Sequence, residues 1–262
     1  MCMTPTSLFS APGSTAASSA PEALLAGARR VAIHQPNLFP RLTTLAKLWA
    51  ADCWVVLDNV QFARRDYQHR ARLAALPDPG VRQWLSLATH LPEGRPTLIR
   101  DARLADPARC QRRVGQLLQQ LYGRSRHWPL FQERLGPLLS LFDTTDRLSV
   151  ISESSTLLML RLLGWRGQVV SGSDLPARSG RSLRLVDLAE ACGARTYLCG
   201  TGGMRYLSVD GFTQQGIKVT AFRTPSSGAW ASAREVSAVR ALMVLGSVAL
   251  VQELSAVAAA QS

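Results

Sequence analysis

The stretch VAIHQPNLFP, residues 31–40, carries three hydrogen-bonding side chains directly after a short apolar run. The apolar run is typical of a buried strand, and His34, Gln35 and Asn37 follow it. A neutral histidine titrates near pH 7 and can accept a proton from an amine or hydroxyl nucleophile. The two prolines of the stretch fix φ and so orient the polar side chains. The pattern predicts a catalytic His34 flanked by Gln35 and Asn37; a histidine that only hydrogen-bonds a loop backbone is the alternative.

Three other predicted strands also end in polar side chains. They are followed by Asp58 and Gln61, by Ser171, Ser173 and Asp174, and by Cys199, Gly200, Thr201, Gly202 and Gly203. Ligands of open parallel sheets bind outside the carboxyl ends of the strands. We therefore expect the four clusters to share one pocket, although any strand end tends to be polar.

The run QFARRDYQHRARL, residues 61–73, is the densest charged segment of the chain. Its candidate anion-binding side chains are Gln61, Arg64, Arg65, Gln68, Arg70 and Arg72. Arginine can hold a phosphate or carboxylate through two parallel hydrogen bonds. The run follows a predicted strand end, which favours contact with the anionic part of a ligand; a solvated loop or helix face is the alternative.

The segment CGTGGMRY, residues 199–206, resembles a turn whose backbone N–H groups can approach an anion. It is neither a GxGxxG fingerprint nor a Walker loop. Cys199 is a candidate nucleophile, with a buried, inert thiol as the alternative. The five cysteines are scattered and odd in number, and no CxxC, HxH or HxxxH spacing occurs, so we predict reduced thiols and no metal site.

The elements that must position these residues alternate between strand and helix. Strands are predicted at 30–37, 53–62, 82–90, 167–175, 195–203 and 217–223, with a helical stretch at 106–165. This rhythm predicts an α/β fold with a Rossmann-like, mostly parallel sheet and a helical insertion. The predicted organisation is one composite domain: a disordered segment 1–28, a first α/β half 29–105, the insertion 106–165 and a second α/β half 166–255.

The charge balance points to an anionic partner. The 262-residue chain has 30 basic and 18 acidic residues, a net charge of +12, which favours a phosphorylated small molecule, a nucleotide or a tRNA. Among the basic residues only Lys47 and Lys218 are lysines. The apolar stretch 241–251 is shorter than the roughly 18 residues of a membrane span, and no secretory signal is apparent. We therefore expect a cytoplasmic protein without a membrane partner.

These motifs, taken together, resemble the WbqC-like family across residues 30–223. The resemblance is carried by HQPN, by LDNVQFARRDYQHRARL, by SGSDL and by YLCGTGGMRYL. The family pattern falls on His34, Gln35, Pro36, Asn37, Asp58, Gln61, Gln68, Arg70, Arg72, Ser173, Arg184, Tyr197, Gly200, Gly202, Gly203 and Tyr206. The chain departs from it at Thr224, where the family commonly has a histidine, and at Arg240 and Val244, where it has Asp and Asn. The family pattern also has serine at position 199, which argues against an obligatory thiol.

The resemblance implies a role in surface-polysaccharide or antibiotic and other specialised-metabolite biosynthesis, where an amino sugar or related amine is acylated. Our first hypothesis is an acyl or aminoacyl transferase that forms an amide, for instance by glycyl transfer. In it, His34 is the base, Asp58 orients the amine or the imidazole, and the arginines hold an activated donor. No bound cofactor is predicted beyond that donor, which is an aminoacyl-tRNA, an acyl-CoA or a nucleotide.

Two alternatives remain open. The opening strand–helix–strand unit resembles nucleotidylyltransferases of the HUP-like fold, although their HxGH motif is here HQPN; this would make the protein a nucleotide-dependent ligase or nucleotidylyltransferase. The charge alone would suit a non-catalytic RNA-binding factor, but no aromatic platform or known RNA-binding signature accompanies it. A homodimer is retained as a further expectation.

Overall fold

The computed structural model describes residues 30–261, so the predicted disordered segment 1–28 lies outside the described residues. The strands of the described part are β1 (Arg30–His34), β2 (Cys53–Val56), β3 (Arg70–Ala74), β4 (Arg82–Ser86), β5 (Thr89–His90), β6 (Arg103–Leu104), β7 (Gln168–Ser171), β8 (Thr196–Gly200) and β9 (Lys218–Phe222). The α-helices are α1 (Leu42–Trp49), α2 (Pro107–Tyr122), α3 (Trp128–Ser140), α4 (Leu148–Leu162), α5 (Arg181–Ala191), α6 (Asp210–Gln214) and α7 (Ala238–Ala259).

Five of the strands form a parallel sheet in the order β7-β2-β1-β8-β9. The chain builds outward from β1 through β2 to β7, then returns to the other side of β1 and builds outward again through β8 and β9. The direction of winding therefore reverses between β1 and β8, which is the topological switch point of a doubly wound sheet. The prediction of a Rossmann-like parallel sheet is confirmed.

The two faces of the sheet are covered by separate apolar clusters, because successive side chains of a strand point to opposite faces. On β1, Ala32 belongs to the larger cluster, which includes residues of α1, α2, α3, α4 and α7. Its neighbours Val31 and Ile33 belong to the smaller cluster, which includes residues of α5 and α6. Three helices, α2 to α4, occupy the range in which the helical insertion was predicted.

The strand predicted at 82–90 is present over much of this range, but its expected place in the parallel sheet is wrong. Its first part is β4, which pairs antiparallel with β3 in a separate two-stranded hairpin, with Arg72 opposite Trp84. The rest contains β5, which pairs with β6. The physical reason is the connection. A parallel neighbour needs a crossover of a dozen or more residues, usually a helix, and only the loop from Ala75 to Val81 lies between the paired positions of β3 and β4.

The last helix, α7, is bent at Gly246, whose backbone lies at φ 80° and ψ 170°. Three residues before the bend, the carbonyl oxygen of Met243 accepts a hydrogen bond from Ser125 Oγ at 2.6 Å. By length and composition alone α7 would suffice to cross a membrane, and it is longer than the apolar stretch 241–251 considered in the sequence. Here it packs against α1, α4 and β3.

Candidate functional site

A cavity of about 380 Å³ lies at the carboxyl ends of β1 and β8, at the topological switch point. This volume lies within the range of small-molecule sites. Its lining comes from β1, the start of α1, β8, the glycine turn (residues 200–203), the end of β9 and the loops before α7: Ile33, His34, Arg41, Thr43, Thr44, Lys47, Tyr197, Cys199, Gly200, Thr201, Gly202, Gly203, Phe222, Thr224 and Arg234. The structure thus brings two of the four predicted polar clusters together.

The lining of this cavity is basic. It contains Arg41, Lys47, Arg234 and His34, while among the described residues no aspartate or glutamate lines it. Positive groups without carboxylate partners, in a partly enclosed space, favour a negatively charged ligand group. The arrangement therefore suits a phosphate or carboxylate.

His34 is held through both of its ring nitrogens. Nε2 lies 3.3 Å from Asn37 Oδ1, which can only accept, so Nε2 carries the proton. Nδ1 then accepts from Lys47 Nζ, also at 3.3 Å. Burial, together with the charges of Lys47 and Arg41, holds the pKa of His34 well below its usual value. The imidazole is therefore neutral at pH 7, with its accepting nitrogen turned to Lys47.

Lys47 was not singled out in the sequence, yet it lies at the centre of this arrangement. It is 5% exposed, and Nζ lies 3.4 Å from the carbonyl oxygen of Ile33. Burial lowers its pKa to about 8. None of the ion pairs within residues 30–261 involves it. The signal in the sequence was compositional, since it is one of two lysines among 30 basic residues.

The glycine turn after β8 forms one wall of the cavity. A Cβ at Gly200 or Gly202 would meet nothing within 4 Å, whereas one at Gly203 would lie 2.8 Å from Cys199 Sγ. Cys199 is 2% exposed, and burial raises the pKa of its thiol. The thiol donates to the carbonyl oxygen of Gly200 at 3.5 Å. These features favour the inert-thiol interpretation of Cys199 over a nucleophile.

The loop that carries Gln35 and Asn37 is pinned from α4. The carbonyl oxygen of Asn37 accepts from Ser155 Oγ at 3.2 Å and Thr156 Oγ1 at 2.8 Å. Gln35 Oε1 accepts from the fully buried Gln68 at 2.7 Å. Asn37 therefore orients His34, while Gln35 lies outside the cavity lining and ties the loop to Gln68. These hydroxyl partners were missed in the sequence because nothing there relates α4 to this loop.

Asp58 and Ser173 form a second polar cluster, at the ends of β2 and β7. Asp58 Oδ1 accepts from Ser173 Oγ at 2.7 Å and from the backbone N–H of Ser173 at 3.1 Å. Arg100 Nη1 donates to the same serine hydroxyl at 3.2 Å. Nearby on α4, burial and the carboxylates of Asp58 and Asp174 raise the pKa of Glu153 to about 7. Asp58 thus binds the β7 end and is not part of the cavity lining.

The arginine run is divided between a loop and the hairpin. Arg64 and Arg65 are exposed. The Arg70 guanidinium lies 4.4 Å from the centre of the Trp84 ring and donates to the carbonyl oxygen of Asp66 at 3.1 Å. Arg72 lies 3.4 Å from Glu235 Oε2. Arg70 and Arg72 therefore hold the hairpin, and the arginine run stays outside the cavity lining.

The remaining candidates lie elsewhere. Gln61 Nε2 donates to the carbonyl oxygen of Arg95 at 2.7 Å. Arg184 is partly exposed on α5, and Tyr206 is 67% exposed; both lie outside the cavity lining. Within residues 30–261 no group of three histidine, cysteine or acidic side chains could hold a metal.

Two of the positions at which the chain departs from the family pattern have clear surroundings. Thr224 lines the cavity. The Arg240 guanidinium donates to the carbonyl oxygens of Ala75 and Leu76, each at 2.9 Å. The first departure therefore alters the site itself, while the second supports the hairpin.

The strand order and the basic cavity at the switch point define a Rossmann-like α/β protein suited to an anionic ligand. Residues 35–247 match the WbqC-like protein family, and the chain belongs to that family. It is similar to the uncharacterized protein Rv1507c of Mycobacterium tuberculosis, with 23% identity over 194 residues that cover 74% of this chain and 82% of that protein. No solved structure matches the chain.

Proposed function

We propose that the protein is a transferase that forms an amide between an activated acyl or aminoacyl donor and an amine acceptor. The observation that carries the proposal is the cavity at the switch point, which is basic and bordered by a neutral histidine. Activated donors of this kind are esters, thioesters or mixed anhydrides attached to phosphate-bearing groups. Such a group is the natural occupant of a cavity lined by Arg41, Lys47 and Arg234.

The residues divide into two roles. The guanidinium groups and the glycine turn hold the anionic part of the acyl donor. Positively charged side chains and backbone N–H groups donate hydrogen bonds to phosphate or carboxylate oxygens. His34 is neutral at pH 7 and contacts Lys47, whose pKa of about 8 lets it exchange a proton near neutral pH, and this pair would take the proton that leaves the attacking amine. If the carbonyl oxygen of the acyl donor pointed toward the turn at Gly202 and Gly203, it would accept hydrogen bonds from backbone N–H groups as negative charge develops on it.

The substrates follow from the resemblance and the charge. The acceptor is an amino sugar or a specialised-metabolite amine in the cytoplasm, and the donor is a glycyl- or other aminoacyl-tRNA, an acyl-CoA or a nucleotide-activated acid. All three types of acyl donor carry phosphates, so the basic cavity does not distinguish among them. The assay below compares the three directly.

The test is a transfer assay read by mass spectrometry. Purified protein receives an amino sugar with each of glycyl-tRNA, acetyl-CoA and an acyl adenylate, and the product is the acceptor plus one acyl mass. Arg234→Gln should weaken the reaction at least about tenfold, since the lost group lines the cavity. Arg195→Gln, an exposed position outside the lining, is the matched control. Absence of a product with every pairing would rule the proposal out.

A second candidate is favoured by the strand order. Counted within the sheet alone, the order is 3-2-1-4-5, the arrangement in which α/β folds bind nucleotides at the switch point. A nucleotide-dependent ligase or nucleotidylyltransferase would release pyrophosphate from ATP when its second substrate is present. No stabilisation by any nucleotide in a thermal melt would exclude this candidate.

A further inference from the structure

The surroundings of Lys47 distinguish it from the other cations of the cavity. Its Nζ is fixed between the Ile33 carbonyl oxygen and His34 Nδ1, at 3.4 and 3.3 Å, and the side chain lines the cavity. The titratable and charged groups that share this cavity are His34 from β1, Arg41 ahead of α1, Tyr197 and Cys199 from β8, and Arg234 ahead of α7. Burial lowers the pKa of Lys47, while Cys199 raises it.

Arginine stays protonated at every pH that proteins tolerate, so Arg41 and Arg234 can hold an anion but cannot accept a proton. The chain uses arginine at nearly all of its basic positions and lysine at this one. His34 can accept only through Nδ1, and Lys47 already occupies that nitrogen. Among the cavity's basic groups, Lys47 is therefore the one whose neutral form offers a lone pair to a substrate.

We propose that Lys47 is the catalytic residue that takes the proton from the attacking amine, and that His34 is a positioning residue that holds Lys47 through Nδ1. The proposal rests on the transferase function proposed above and assigns the base within it. It departs from the sequence hypothesis, in which His34 itself is the base.

The step balances as follows. The acceptor ammonium gives one proton to neutral Lys47 Nζ, and the nitrogen lone pair attacks the donor carbonyl carbon to form the C–N bond. The C–O or C–S bond to the leaving group then breaks, with its electron pair moving to the oxygen or sulfur. The second nitrogen proton ends on that leaving atom, and the Lys47 ammonium returns its proton to water.

A labelling experiment tests the assignment without any knowledge of the donor. Native protein is treated with trace acetic anhydride between pH 6 and 10.5, and acetylation of the two lysines is measured by peptide mass spectrometry. Lys218, exposed on β9, is the internal reference. Lys47 should react with a midpoint near pH 8, and inorganic pyrophosphate should protect it. A Lys47 that stays unlabelled in the native protein, or follows the pH curve of Lys218, would overturn the proposal.

Kinetics with an active donor pair separate a base from a fixed positive charge. Lys47→Arg keeps the charge, so we expect pyrophosphate still to stabilise the variant in a thermal melt while kcat/KM falls at least about 100-fold. His34→Gln offers Lys47 an acceptor oxygen and should lose less than Lys47→Arg, with a displaced pH profile. Lys218→Arg should match the unmodified protein.

The outcomes are distinguishable. Full activity and an unchanged pH profile in Lys47→Arg would show that Lys47 only binds the anion, which would overturn the assignment while leaving the transferase intact. Absence of any product from the unmodified protein would overturn the transferase proposal, whereas the labelling result would still report whether Lys47 is a reactive, cavity-facing amine.

Discussion

Gly203 shows how closely the wall of the cavity is packed. A Cβ at this position would lie 2.8 Å from Cys199 Sγ, and Cys199 is buried and cannot easily move. Gly203→Ala should therefore reduce the free energy of unfolding by about 1–3 kcal/mol in urea denaturation. Gly200→Ala, where a Cβ meets nothing within 4 Å, should change it by less than about 0.5 kcal/mol.

The same pair of residues allows a rescue. Cys199→Ala removes the sulfur that the new methyl group would meet, so the double variant should recover most of the stability lost by Gly203→Ala alone. Additive losses in the double variant would show that the backbone of the turn, and not the contact with Sγ, requires glycine.

Glu153 makes stability depend on pH in an unusual direction for a carboxyl group. Its pKa in the folded protein is about 7, above the roughly 4.3 of an unfolded glutamate, so folding favours the protonated form. The stabilisation is fully present below about pH 4.3 and is lost as pH rises through 7. Glu153→Gln should therefore be more stable than the unmodified protein at pH 8, by up to about 3–4 kcal/mol.

The free energy of unfolding is measured by denaturant titration at pH 4.5 and pH 8. Glu153→Gln should exceed the unmodified protein in stability only at the higher pH. Glu133→Gln is the control, because the Glu133 side chain is 69% exposed on α3. An equal effect of Glu153→Gln at both pH values would mean that the raised pKa is not what the substitution removes.

Among the helices, α7 bends where it packs against the start of α3. Gly246 has a positive φ of 80°, and a Cβ there would lie 2.5 Å from His127 Cε1. Gly246→Ala combines backbone strain with a steric clash, so we expect a loss of roughly 2–4 kcal/mol in the free energy of unfolding. Circular dichroism with urea would measure it.

Gly136 in α3 provides the control for Gly246→Ala. A Cβ at Gly136 would meet nothing within 4 Å, and alanine favours the helix, so Gly136→Ala should raise stability by up to about 1 kcal/mol. A similar loss at both positions would indicate that the bend at Gly246 is not required by its neighbours.

At the scale of the whole molecule, the excess of positive charge acts separately from the cavity. A net charge of +12 predicts binding of generic RNA that weakens at least about tenfold between 50 and 200 mM salt. Lys47→Met removes one buried cation and should leave this binding unchanged within about twofold in a filter-binding assay. The same variant should lose the stabilisation by pyrophosphate, and a parallel loss of both would mean that RNA enters the cavity itself.

The strand order also decides which of the predicted site residues meet. His34 and the glycine turn follow adjacent strands, β1 and β8, and share the cavity. Asp58 and Ser173 follow β2 and β7 and bind each other instead. Sequence patterns identify strand ends, but the order of strands in a sheet depends on how the covering helices pack, so no pattern along the chain could divide the four clusters correctly.

Local spacing and composition were enough to predict the alternation of strands and helices, the parallel sheet and the positive charge, and they made the HQPN stretch a candidate site. The folded molecule was needed to show that Arg72 holds a hairpin, that α4 pins the loop after β1, and that Lys47 contacts His34. These contacts join residues distant along the chain or on different elements. Those of α4 and of Lys47 gain strength from burial, whereas the ion pair of Arg72 is partly exposed. Burial is a property of the packed molecule, and it is what changes a lysine and a histidine into a candidate site.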